Sequence, residues 1–246
     1  MGIDLDKDWF VVIYARDEAY LNETQPHELP GGWDYHSHRN ADINSYHLAI
    51  QYILDQGGFV IRTGYKVKNK LDFIHPRVID YANLYRNDFM DIFLPAHCKF
   101  LLGAAGGASD LAVVFNKPRL SVNWQIGGTA PFGKNNLYLP KKARDQKNGE
   151  YVPLGKLLIE GKDANPPFTH TNRIKELGYT LEDNTPEEIL DVTKEMFQRL
   201  DGNWNPSEKE KQLQQRYRDL FPPDHFYDSI KTPVGSKFLL KYEYLL

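Results

Sequence analysis

The chain is poor in cysteine, carries no excess of either charge and has no long apolar run. Among its 246 residues Cys98 is the only cysteine, which excludes an intrachain disulfide. It stands in the apolar segment AHCKFLLG, read as the start of a strand, and is expected to be a buried, inert thiol. Thirty basic side chains against 33 acidic ones leave a net charge of −3. That balance gives no electrostatic footprint for nucleic acid, so DNA and RNA are not expected partners. No segment approaches the ~20 apolar residues of a membrane span, and residues 1–30 do not combine a basic start with an apolar core. No transmembrane segment and a cytoplasmic location are expected. What is present is 41% hydrophobic residues, enough to fill a core.

Residues 9–14 (WFVVIY) form a short β-branched run that ends in Ala15, Arg16 and Asp17. This is the pattern of a buried parallel strand, and α/β sheets place ligands beyond the carboxyl ends of such strands. Residues 18–38 are rich in Gly, Pro, His and Asn and read as one long loop. Asp42 then fits an N-cap, with Ile43, Tyr46, Ile50, Ile53 and Leu54 at helical spacing and Gly57 and Gly58 closing the helix. Further strands are expected over 59–62, 78–81, 99–102 and 120–123, with helices over 89–97 and 108–115 between them. The alternation predicts an α/β fold, a Rossmann-like, mainly parallel sheet with helices on both faces. Beyond Trp124 come a Gly- and Lys-rich loop, LYLPKK and a polar stretch. Two helices follow, PEEILDVTKEMFQRL capped by Thr185 and EKEKQLQQRYRDLF capped by Ser207. Without repeats or a linker-like composition, 1–246 reads as a single domain with a helical C-terminal section.

The cluster Arg39, Asn40, Asp42 stands at a helix entrance, where backbone N–H groups and the positive end of the dipole favour an anion. Arg39, and Arg16 after the first strand, can each grip two phosphate oxygens in a planar fork. Asp42 equally fits a cap, and Arg62 equally fits an ion pair with Asp80. In the turn Gly103-Ala104-Ala105-Gly106-Gly107-Ala108-Ser109, the positions Gly106, Gly107 and Ser109 can offer backbone N–H groups to an anion. Close packing of helix on strand is the competing reason for its glycines. For proton transfer the candidates are Asp17, Glu18, Asp42 and His38. His36 and His38 with Asp34 read as solvated loop residues, so no metal ligand is expected. Asp4, Leu5 and Asp6 precede the first strand and read as a solvated leader. Trp33, Tyr35, Tyr81 and Trp124 fall near strand ends or in loops, where stacking on a sugar or base competes with core packing.

Five segments occur in one order: RNADI (39–43), VIRTG (60–64), VIDYA (78–82), MDIFL (90–94) and LYLPKK (137–142). With them the chain, from about Asp8 to its end, resembles a family of bacterial glycosyltransferases that carry RNADI-, IRMG- and YLPK-type motifs. The placement of Arg16 is also similar to that of basic residues after the first donor-domain strand in GT-B fucosyltransferases. The resemblance implies one half of a GT-B architecture, the C-terminal, donor-binding half, with an acceptor-side domain or a second copy as the other wall of a cleft. It departs from the family in the turn at 103–109, where alanines replace hydroxyl residues and shift the burden of phosphate contact to the backbone.

The implied activity is transfer of a hexosyl or fucosyl group from a nucleotide-diphosphate sugar to a carbohydrate or surface-glycan acceptor, in polysaccharide biosynthesis. No metal or other cofactor is expected to be required. Arg16 and Arg39 would stabilise the departing diphosphate and Asp17 would act as base, with Arg39, Asn40, Asp42, Arg62, Gly106, Gly107 and Ser109 as the donor site. The alternative is a non-catalytic nucleotide- or phosphosugar-binding module that needs a partner domain. A phosphohydrolase-like α/β protein is a third reading, disfavoured because neither a nucleophile elbow nor a Walker motif is present.

Overall fold

Alternate residues of the first apolar run feed opposite faces of a sheet. In strand β1 (Phe10–Tyr14), Val11 and Ile13 enter the larger core, while Phe10 and Val12 enter a smaller one. A strand buried on both faces is what a parallel sheet requires. The computed structural model describes residues 1–25, 32–125, 131–133, 135–163, 170–221 and 232–246. On one side of β1 lies β2 (Phe59–Arg62), pairing Phe10 with Phe59 and Ile13 with Arg62, and beyond it β3 (Val78–Ile79). On the other side β4 (Leu101–Gly103) pairs Tyr14 with Gly103, followed by β5 (Arg119–Trp124) and β6 (Leu137–Pro140). The resulting order, β3-β2-β1-β4-β5-β6, is parallel throughout. It confirms the Rossmann-like α/β fold, and it places a topological switch point between β1 and β4, where a crevice opens at the strand ends.

Helices cover both faces. Short α1 (Ala19–Thr24) follows β1, and α2 (His47–Asp55) buries Ile50, Ile53 and Leu54 in the larger core. Gly57, at φ +89°, donates to the Leu54 carbonyl and Gly58 to that of Ile53, the Schellman closure expected of that glycine pair. The smaller core is roofed by α3 (Tyr81–Leu84), α4 (Asp88–His97) and α5 (Gly107–Val114). Cys98 caps α4 and is 1% exposed, buried as expected but at a helix end and not in a strand. After β6 come β7 (Lys142–Asp145), α6 (Leu154–Asp163), α7 (Thr171–Glu176) and β8 (Tyr179–Glu182), with β7 and β8 forming an antiparallel ribbon.

The two C-terminal helices are where the capping residues put them. Helix α8 (Pro186–Leu200) starts at a Thr185–Glu188 capping box, and α9 (Glu208–Asp219) at a Ser207–Glu210 one. Helix α8 packs on the larger core through Phe197, whose ring meets Trp9, Tyr52 and Phe100 edge-on at 5.5–5.7 Å between centroids. A last helix, α10 (Ser236–Lys241), packs against α8 and α9. Among the described residues no helix is long and apolar enough to cross a membrane.

Four expectations are corrected. The stretch 18–38 is not all loop: it contains α1 and a 3₁₀ helix at Asp34–Arg39, while residues 26–31 lie outside the described set. The helix expected from Asp42 begins as a separate 3₁₀ turn, Ile43–Tyr46. The third strand stops at Ile79, because Asp80 turns away to pair with Arg62 at 3.0 Å and Tyr81 opens α3. The LYLPKK motif, given no secondary structure from sequence, supplies the sixth strand. Its Tyr138 is bonded to the segment at Pro233 and Gly235, so that edge of the sheet is covered.

Candidate functional site

A cleft of about 520 Å³ lies at the switch point. Its floor is the chain leaving β1 (Tyr14, Arg16, Asp17) and the turn after β4 (Gly106, Gly107, Ala108). One wall carries Trp33, His36 and Arg39 from the 3₁₀ segment and its approach. The other carries Tyr20 and Leu21 of α1 with Tyr65, Lys66 and Val67 of the loop after β2. The lining therefore combines cations (Arg16, Arg39, Lys66) with aromatic rings (Tyr14, Tyr20, Trp33, Tyr65).

The glycines after β4 divide by function. A Cβ on Gly103 would sit 2.7 Å from the Tyr14 carbonyl oxygen, and one on Gly106 would sit 2.8 Å from the Tyr14 hydroxyl. Both are dictated by close packing against the end of β1. A Cβ on Gly107 would meet nothing within 4 Å, yet Gly107 lines the cleft. Gly107→Ala is therefore expected to fold with unchanged or slightly raised stability, since Ala is the better helix former. Its methyl would enter the cleft and weaken an anion seated on the α5 amides by roughly tenfold, a loss of about one hydrogen bond. Titration calorimetry beside a thermal melt separates the two effects.

Arg16 and Arg39 are brought together in the cleft. Arg16 is 7% exposed. Its Nη1 donates to the His36 carbonyl at 3.2 Å and, in a very short bond, to Asn40 Oδ1. Asn40 is held in turn: its Nδ2 donates to Glu18 at 2.7 Å, and its carbonyl accepts from the buried Lys141 at 2.7 Å. Arg39 donates only to the Ala105 carbonyl, at 3.4 Å, and its buried Nε has no partner among the described residues. Burial, then the like charge of Arg39, pulls the Arg16 guanidinium below its ordinary value. The other buried permanent cations each hold a carboxylate: Arg62 with Asp80, Arg119 with Asp110, Lys141 with Asp183 and Lys142 with Glu188. Among the described residues Arg16 is bonded to neutral groups only. Two adjacent guanidiniums without a direct carboxylate partner among the described residues form a site that an anion completes.

The remaining predicted site residues have other positions. Asp17 lines the cleft, but its Oδ1 accepts from the Ala19 N–H at 2.9 Å and its Oδ2 from the Lys68 N–H at 2.8 Å. Asn40 orients Arg16 from behind and does not line the cleft. Asp42 is an exposed cap, accepting from the Asn44 N–H at 3.0 Å. Arg62 is 1% exposed and locked to Asp80 and to the Asn69 carbonyl. Ser109 is fully buried, its hydroxyl donating to the Gly106 carbonyl at 2.7 Å. Tyr81 and Trp124 are core residues. His38 is 6% exposed, and burial first, then the charges of Arg39 and His36, lower its pKa to about 3.

Sequence reasoning missed Tyr20, Leu21, Tyr65 and Val67, ordinary residues whose grouping depends on the 3-2-1-4 strand order. It also missed Lys141 behind Asn40; only its place in LYLPKK marked it. Trp33 stacks with Tyr35 and His36, at 5.8 and 6.1 Å between centroids, extending the aromatic wall toward His170.

No family model matches the chain, and no curated protein matches it. Among solved structures it is similar to Escherichia coli heptosyltransferase WaaC with ADP-2-deoxy-2-fluoro heptose, at 14% identity and a TM-score of 0.33 over 56% of this chain and 38% of that one. The same enzyme with ADP gives 13% identity and a TM-score of 0.31 over 55% and 38%. The chain thus spans well under half the length of the heptosyltransferase chains that it matches.

Proposed function

We propose that the cleft binds the diphosphate of a nucleotide sugar and that the protein transfers the sugar to a carbohydrate or surface-glycan acceptor. The observation that carries this reading is the pair Arg16 and Arg39, two guanidiniums without a carboxylate beside the amides of the 106–108 turn, at the sheet's switch point. A dianionic diphosphate matches two planar forks and a set of backbone N–H groups. The lining aromatics Trp33, Tyr20 and Tyr65 offer planar faces to a base or sugar ring. In glycosyl transfer negative charge grows on the leaving diphosphate, and preorganised guanidiniums stabilise it in the role a metal ion plays elsewhere. Asp17 and His36 are the lining groups able to take the acceptor's proton.

One observation favours the alternative, a nucleotide- or phosphosugar-binding module that works with a partner domain. Among the described residues lining the cleft Asp17 is the lone carboxylate, and both of its oxygens already accept backbone N–H groups. A second wall would then bring the base. The test is a thermal-shift panel of nucleoside diphosphates and nucleotide sugars, with inorganic sulfate as a charge control. A ligand at 100 times its dissociation constant adds ~2.7 kcal/mol of apparent stability. A shift with nucleotides and none with sulfate supports the site; no shift with any nucleotide overturns it. Donor hydrolysis or transfer by the hits separates enzyme from binding module.

A further inference from the structure

Arg39 and His36 reach the cleft from the 3₁₀ helix Asp34–Arg39, a short element with one buried side chain, His38. Something outside the segment must fix it, since a single 3₁₀ turn has little stability of its own. Beside the Arg16 bond to the His36 carbonyl, the anchor is Thr171, at the start of α7 and more than 130 residues away in sequence. Its Oγ1 lies 3.0 Å from the Tyr35 carbonyl oxygen, 3.0 Å from the His38 backbone nitrogen, 3.1 Å from Ser37 Oγ and 3.1 Å from His38 Nδ1.

A threonine hydroxyl has one proton and two lone pairs. A carbonyl can only accept, so the proton goes to Tyr35. The backbone N–H of His38 can only donate, so it takes one lone pair. The one lone pair left faces both Ser37 Oγ and His38 Nδ1; the exposed Ser37 hydroxyl can turn to water, whereas the buried ring can fill that lone pair only with an Nδ1 proton, which the Tyr35 carbonyl also favours. The imidazole therefore carries its proton on Nδ1. Its Nε2 keeps a bare lone pair, buried and without a partner among the described residues. Ring, backbone and hydroxyl groups of three residues of the segment, Tyr35, Ser37 and His38, converge on one oxygen immediately before Arg39.

We propose that Thr171 is a positioning residue for the anion site: by holding His38 as the Nδ1–H tautomer it sets the 3₁₀ turn, and through it the place of Arg39 in the cleft. The consequence for ligand binding rests on the function proposed above. The consequence for the turn does not.

Two substitutions separate the hydroxyl's role from its bulk. Thr171→Val keeps the shape and deletes the oxygen, whereas Thr171→Ser keeps the oxygen. Imidazole ¹⁵N spectra, with His38 assigned by its loss in His38→Asn, are expected to show Nδ1–H for the wild type and Thr171→Ser at pH 7. In Thr171→Val that signature is expected to disappear. In calorimetry with ADP and UDP, Thr171→Val should bind roughly tenfold more weakly and Thr171→Ser within about threefold of wild type, the range for loss and retention of a buried hydrogen bond. A wild-type His38 protonated on Nε2 overturns the inference whatever the variants' stability. So does wild-type affinity in a folded Thr171→Val protein. If the wild type binds neither nucleotide, the proposed function fails on its own. The positioning role is then read from the Arg39 Nε–H resonance, which moves in Thr171→Val if Thr171 places the turn and stays if it does not.

Discussion

Arg39→Ala is expected to lower sugar-transfer turnover by roughly 10²-fold or more, the effect of removing one charge partner from a developing anion. The fold should survive, because among the described residues Arg39 makes one hydrogen bond, at 3.4 Å to a carbonyl, and no ion pair. The free nucleotide product bears the same charge, so its binding weakens too. Arg39→Lys should rescue only part of the loss, since an ammonium cannot reproduce a planar two-point grip. A radiolabelled transfer or donor-hydrolysis assay on the three proteins, with circular dichroism for folding, reads these effects. Wild-type turnover in a folded Arg39→Ala protein removes Arg39 from the mechanism. Nucleotide binding without turnover, even beside a supplied partner domain, selects the binding module.

Folding stability is expected to fall by about 2 kcal/mol between pH 7 and pH 5, most of it owed to His38. The sign follows from the direction of its shift. The pKa of His38 is lowered from 6.5 to about 3, so below pH 6.5 the unfolded chain takes up a proton that the native state refuses. Stability is therefore complete above pH 6.5 and drains at up to ~1.4 kcal/mol per pH unit as the pH falls toward 3. Glu18 and Glu182, held below the ordinary carboxylate value of 4.5 by Lys68 and Arg144, add to the loss only at more acidic pH. Urea midpoints measured at pH 7, 6 and 5 give the slope. Substituting His38→Asn should flatten it; an equal slope in the variant would assign the proton to another group.

The sheet was largely legible because parallel strands buried on both faces leave short β-branched runs at regular spacing, and β1, β2 and β5 fell within a residue or two of their predicted bounds. The capped helices α8 and α9 were legible for a local reason, since Thr185 and Ser207 each satisfy backbone donors within their own turn. β6 was not, because Leu137–Pro140 is too short to show a period and ends in proline. At the site, Arg16 and Gly107 could be named because one follows a strand and the other opens a helix, whereas Arg39, read as standing at a helix entrance, closes a 3₁₀ helix instead. Asp42 as a cap and Arg62 as the partner of Asp80 were legible as competing readings, the first from its place before a periodic run and the second from a carboxylate after the next strand; the post of Ser109, on a carbonyl three residues back, was not. Asn40 was named for the wrong task, since its amide serves Arg16 and its carbonyl serves Lys141 from across the fold. Thr171 left no trace in the sequence, because its partners lie more than 130 positions away.

The lone thiol of Cys98 doubles as a gauge of opening. It is 1% exposed beneath α4, and burial pushes its pKa up to about 12, so in the folded protein it is both shielded and protonated. Thiol reagents reach it only in molecules whose smaller core has come apart. With no second cysteine to label, the reaction rate at mildly alkaline pH counts those molecules directly. Each variant above can thus be ranked by the speed at which a single sulfur is marked, without a denaturant.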